Sequence, residues 1–139
     1  MSSHQNRQYL LTQVPEHVVD NPAYLKEGQS HLARYNVAVW LNFLNFGPNP
    51  VKLQLKYRDE LKEHLVDIDQ LTLNQSGQVL LSGVAFLKCR GRIGTMQILA
   101  SSLDKKLEFR IEEIFVQRHE EKSQSNAKSK NTTLKTISR

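Results

Sequence analysis

From Val51 to Tyr57 the chain alternates apolar and polar residues, with Val51, Leu53, Leu55 and Tyr57 set against Lys52, Gln54 and Lys56. A period of two is that of a strand with one buried face and one wet face. The preceding segment counts differently. Leu32, Tyr35, Val39, Phe43 and Phe46 recur at helical spacing, and Gly47-Pro48 follows as a stop signal, which predicts a helix. Val37, Trp40, Leu41 and Leu44 make its other side apolar too, so this helix is expected either at the centre of the core or as half of an interface. Asn21-Pro22 reads as a helix start, and Gly28 as a break. The predicted helical region is therefore 21–47, after an arm over 1–20 that holds at most one short element around Tyr9, Leu10, Leu11 and Val14.

Beyond Tyr57 the pattern predicts more strands. Arg58 to Lys62 is a turn, and His64 to Leu73 is a strand whose buried face changes near Asp69. Asn74-Gln75-Ser76-Gly77 is a turn by composition. Gln78 to Leu87 is almost continuously apolar, as expected of a strand covered on both sides, with Gly83 marking a bulge or a close backbone approach. Arg90-Gly91 predicts a hairpin into Ile93 to Ala100. Leu107, Phe109 and Ile111 alternate as a strand would, while Leu103, Leu107, Ile111 and Ile114 fit a helix equally well, with Ser101 and Asp104 spaced as a capping box. A strand through Ile111 is favoured because it completes a small sheet. The expected fold class is α+β: an N-terminal helical segment packed on a small antiparallel sheet or SH3/Sm-like barrel. One domain spans 21–121, β-rich over 51–116.

Charge then changes the picture of the partner. Lys122, Lys128, Lys130, Lys135 and Arg139 give the last 18 residues a charge of +5 with no acid, while residues 1–121 carry 14 basic and 14 acidic side chains. The net charge of +5 thus belongs to a tail over 122–139, read as disordered, and not to the body. No run is apolar and long enough to span a bilayer, and Met1 to Gln8 lacks a signal-peptide profile, so a cytoplasmic protein with no membrane partner is expected. The single cysteine, Cys89, excludes an internal disulfide.

Lys88-Cys89-Arg90-Gly91-Arg92-Ile93-Gly94 is the segment richest in chemistry. Extended flanks would put Lys88, Arg90 and Arg92 on one side, and the glycines would let backbone N–H groups approach a phosphate. The competing reading is a solvated basic turn. Cys89 has cationic neighbours but no identifiable base, and it is as well placed to face the core. His64 with Asp67 and Asp69 is the one cluster with metal-ligand residue types, and strand alternation separates His64 from the two carboxylates. No catalytic set, metal site or cofactor is implied, and the chain is read as non-enzymatic.

Three pieces look like the WYL domain of bacterial regulators, a small Sm-like or SH3-like β-barrel. They are Leu53 to Asp59 as the opening strand, Gly77 to Phe86 as the central strand, and Phe109 to Ile114 as the closing strand. Val79-Leu80-Leu81 stands where that family carries its Trp-Tyr-Leu triplet, so the resemblance over 51–116 bears on the barrel more than on a ligand site. It implies a regulatory module. The function expected is binding of nucleic acid or a nucleotide through Lys52, Lys56, Lys88, Arg90 and Arg92. The alternative is a protein interaction module, such as an adaptor, a small homodimer or an immunity-type inhibitor, working through an apolar surface that includes Trp40, Phe43 and Phe46.

Overall fold

The structure, a computed structural model, describes residues 7–104, 106–119 and 133–136, the last as backbone. In the segment Ser30–Phe43 the buried residues are Ala33, Tyr35, Val37, Val39, Leu41 and Phe43, and each residue between them is at least partly exposed. The period is two. The predicted helix is a 14-residue strand, β2. Its apolar residues match helical spacing only because the outward positions include Leu32, Ala38 and Trp40, so that counting both faces together imitates a stripe. The β-branched Val37 and Val39 and the aromatics Tyr35, Trp40 and Phe43 favour the pleated surface they occupy.

The α+β expectation is therefore overturned: strand accounts for 63% of the structure and helix for 4%, with no helix of seven residues or more. The elements are β1 (Arg7–Gln13), α1 (Glu16–Val19), β2, β3 (Val51–Arg58), β4 (Glu63–Leu71), β5 (Gly77–Arg90), β6 (Thr95–Ser102), β7 (Phe109–His119) and β8 (Thr133–Thr136). They form two antiparallel four-stranded sheets, ordered β1-β6-β3-β4 and β5-β2-β7-β8. Inward residues of both sheets share one core, with Leu53, Leu55, Met96 and Ile98 from the first and Tyr35, Leu41, Leu81 and Ile114 from the second. This is a β-sandwich, not a helix on a barrel. The three segments resembling a WYL domain lie in both sheets, and β2, from outside that resemblance, separates β5 from β7.

Local features follow the sequence more closely. Ile68 is an unpaired residue between Asp67, opposite Gln54, and Asp69, opposite Leu53, so the face changes where expected. Gly83 lies where a Cβ would come 2.8 Å from the Ile68 carbonyl oxygen, a close approach between β4 and β5. Arg90-Gly91 does turn the chain, but it carries it from one sheet to the other and makes no hairpin. The strand predicted around Leu107 to Ile111 continues as strand to His119. Of the tail expected to be disordered, 122–132 and 137–139 lie outside the described residues, and the backbone of Thr133–Thr136 pairs with β7. No helix among the described residues is long and apolar enough to cross a membrane.

Candidate functional site

Strands β2 and β5 pair over their full length, Ser30 with Arg90 through to Phe43 with Gly77. Alternation fixes what each face shows. The odd positions fill the core, and the even positions stand on the outer face: Leu32 opposite Lys88, Arg34 opposite Phe86, Asn36 opposite Val84, Ala38 opposite Ser82, and Trp40 opposite Leu80. Phe86 is 64% exposed and Leu32 75%, and Trp40, Leu80 and Val84 are each about two-fifths exposed. On the far side of β2, Phe115 stands opposite Ala38 and Glu113 opposite Trp40. One outer face thus carries a contiguous apolar surface.

That face is polarised along the strands. At one end Arg34 lies over the Phe86 ring, its guanidinium carbon 5.8 Å from the centroid, beside Lys88 and Arg90. A cleft of about 700 Å³ there is lined by Leu32, Arg34, Phe86, Lys88, Arg118 and His119 among others, with no acidic side chain among the described residues. At the other end Glu112 accepts hydrogen bonds from Asn42 and Gln78. Glu113 and Arg110 share that end.

The basic turn behaves differently from expectation. Its backbone donors are turned onto the protein's own groups: Arg90 N–H donates to Asp59 at 2.9 Å, Gly91 N–H to the Gln29 carbonyl at 2.8 Å, Arg92 N–H to Glu60 at 3.1 Å and Ile93 N–H to Asn21 at 2.8 Å. Asp59 also accepts from Leu61 N–H, Lys62 N–H and His64 Nε2. Burial works to raise the Asp59 pKa, but the three backbone donors and His64 outweigh it and hold the carboxyl at about 2. Glu60 is likewise held below its ordinary range, chiefly by the N–H groups of Arg92 and Gly28. Gly91 has φ 75°, and a Cβ there would overlap the Glu60 carboxylate. The anion this loop cradles is internal.

The five basic residues expected to act together are divided. Lys88 and Arg90 stand on the outer face of the β5-β2-β7-β8 sheet, and Arg92 lies in the crossover beyond it. Lys52 and Lys56 stand on the outer face of the opposite sheet, where Lys52 pairs with Asp67 at 3.7 Å. The aromatic trio divides too: Trp40 is on the apolar outer face, Phe43 is in the core, and Phe46 is on the loop after β2, beside Leu103 and Asp104. Cys89 faces inward, and burial pushes its thiol up to about 11, with the Asp59 charge adding to the rise. His64 stacks on Tyr57 at 4.5 Å and is bonded to Asp59, not to Asp67 or Asp69.

Sequence reasoning passed over Leu80, Val84 and Phe86 as surface residues. Their signal was the continuous apolarity of Gln78 to Leu87, which was assigned to a strand covered on both faces. The strand is there, and among the described residues no element covers its outer face. No family model, curated protein or solved structure matches the chain.

Proposed function

We propose that this chain is a non-enzymatic cytoplasmic interaction module whose outer β5-β2-β7 face engages a protein partner. The observation that carries this reading is the shared exposure of Leu32, Trp40, Leu80, Val84 and Phe86 on one paired strand unit. Contiguous apolar surfaces of that kind on folded domains mark association sites, whereas isolated exposed leucines do not. Photo-cross-linking in cells that express the chain tests it, with benzoylphenylalanine in place of Phe86 or of Lys56. Adducts are expected from position 86 and not from position 56, on the opposite sheet. Equal labelling from both positions, or none from either, would overturn the reading.

One observation favours a second reading, binding of single-stranded nucleic acid or a nucleotide. The exposed Phe86 ring beside Arg34 and Lys88 combines a stacking surface with cations in a cleft that no acid lines among the described residues. Fluorescence anisotropy with a labelled oligonucleotide at several salt concentrations decides it. This reading requires steep salt dependence, with a slope lowered by about one in Lys88→Ala. Binding unaffected by Lys88→Ala would remove it.

A further inference from the structure

We propose that the partner on the β5-β2-β7 face is a second copy of this chain, docked face to face about a two-fold axis through Ala38. The proposal rests on the interaction reading above and names its partner. The β5 edge of this sheet is capped by side chains, and β8 covers β7 over Ile114 to Gln117. Ser82 N–H donates to Asp69, Arg90 N–H donates to Asp59, and the Lys88 carbonyl accepts from the Tyr57 hydroxyl. Strand addition at the β5 edge is therefore opposed, which leaves its face for a partner.

The face is complementary to itself. An axis lying in the interface and perpendicular to the strands sets each strand over its own counterpart, running the opposite way. The row Ala38, Ser82 and Phe115, one residue from each strand, then falls on the axis. Two of the three are small, which lets the sheets approach to the roughly 10 Å of stacked β layers. One step away on β5, Val84 meets Leu80 of the second copy, while on β2 Trp40 comes over Asn36. The end with Lys88 and Arg90 comes over the end that holds Glu112 and Arg110. At about 3.3 Å per residue and 4.8 Å between strands, twelve rows across three strands give roughly 600 Å² per copy. The pair would bury about 1,200 Å², the lower bound for a specific interface, so the dimer is expected to dissociate on dilution.

Sedimentation velocity of the full chain from about 1 to 200 μM tests this. The weight-average mass should rise with concentration from 16.0 kDa towards twice that value. Ala38→Arg, which sets two like charges on each other at the axis, should weaken association at least tenfold with an unchanged thermal melt. Lys56→Glu on the opposite sheet should leave it intact. In Ser82→Cys a short bis-maleimide should join two chains at position 82, because Cys89 is buried. A monomer at every concentration, or a dimer indifferent to Ala38→Arg that does not cross-link at position 82, would overturn the proposal. A monomer that still gives adducts to another protein from position 86 would overturn the second copy and spare the interaction face. A monomer without such adducts would bring down both.

Discussion

The two outer faces of this sandwich are built by the same alternation and end in opposite chemistry. On the β1-β6-β3-β4 sheet the outward phase is bonded within itself around the buried Gln54 and Ser101, with Leu99 buried beside them: Ser101 donates to Gln54 at 2.9 Å, Gln54 to Asp67 at 2.7 Å, and Lys52 pairs with Asp67. Its exposed leucines, Leu10, Leu65 and Leu71, sit on the two edge strands. On the β5-β2-β7-β8 sheet the outward centre is Ala38, Trp40, Leu80 and Val84, with Phe86 beyond. The first face can stay in water. The second exposes side chains whose burial is worth about 25 cal/mol per Å², which is a standing drive to associate. A strand with one buried face needs only one apolar phase to fold, so the proposed function assigns the apolar residues in the second phase of both β2 and β5 to association.

The sharpest way to break this comparison is the neighbouring pair Leu80 and Leu81, identical side chains on opposite sides of β5. Leu81 is 1% exposed, and Leu81→Ala should cost about 3 to 5 kcal/mol through lost transfer energy and a cavity. Leu80→Ala should cost under about 1 kcal/mol in the monomer and should weaken association instead. Chemical denaturation of the two variants at low concentration reads the difference, and equal costs would mean that the outer face is covered within the monomer.

A smaller effect concerns the crossover that presents Lys88 and Arg90. The Asp59 pKa of about 2 lies below its ordinary 3.8, so its stabilisation is present above pH 4 and lost as pH falls through the folded value. Asp59→Asn should destabilise by about 2 kcal/mol at pH 7, with the gap to the wild type closing between pH 4 and 2. A gap independent of pH would show that the carboxylate charge is not what holds the turn.

Gly83→Ala tests the junction between β4 and β5. Its Cβ would meet the Ile68 carbonyl oxygen at 2.8 Å and the Ile68 methyl at 3.0 Å, and a backbone neighbour gives way at a cost of about 1 to 2 kcal/mol. A neutral substitution in a thermal melt would indicate a looser junction. The smallest effect is expected for Lys52→Ala on the polar face, where an exposed ion pair is worth under about 1 kcal/mol and is screened by salt. A larger, salt-insensitive loss would show that this face depends on its ion pair.

Much of the β half was legible in the sequence because its strands present one phase at a time. Lys52 and Lys56 mark which side of β3 is turned outward, although Gln54 between them is buried against Ser101 and Asp67. The bend at Ile68 and the tight approach at Gly83 were readable for the same reason. Strand β2 was misread because Leu32 and Trp40 add apolar residues to its outward phase, and two superposed periods of two produce spacings of three and four. The feature that hid the fold is the one that makes the candidate face. The turn at Arg90-Gly91 was legible as a turn with exposed donors. What those donors would meet was not, because Asp59 and Glu60 reach them only after β5 has crossed back to the other sheet.

Trp40 is the single tryptophan of the chain and stands on the candidate face, which makes its fluorescence the most direct reporter of the central claim. At submicromolar concentration acrylamide should quench it readily, as for a ring about two-fifths exposed. Quenching should then fall with rising concentration, in step with the weight-average mass, and stay high throughout in Ala38→Arg. A tryptophan shielded at every dilution would place it in a core, and one equally quenched at every concentration would leave this face uncovered by a second copy.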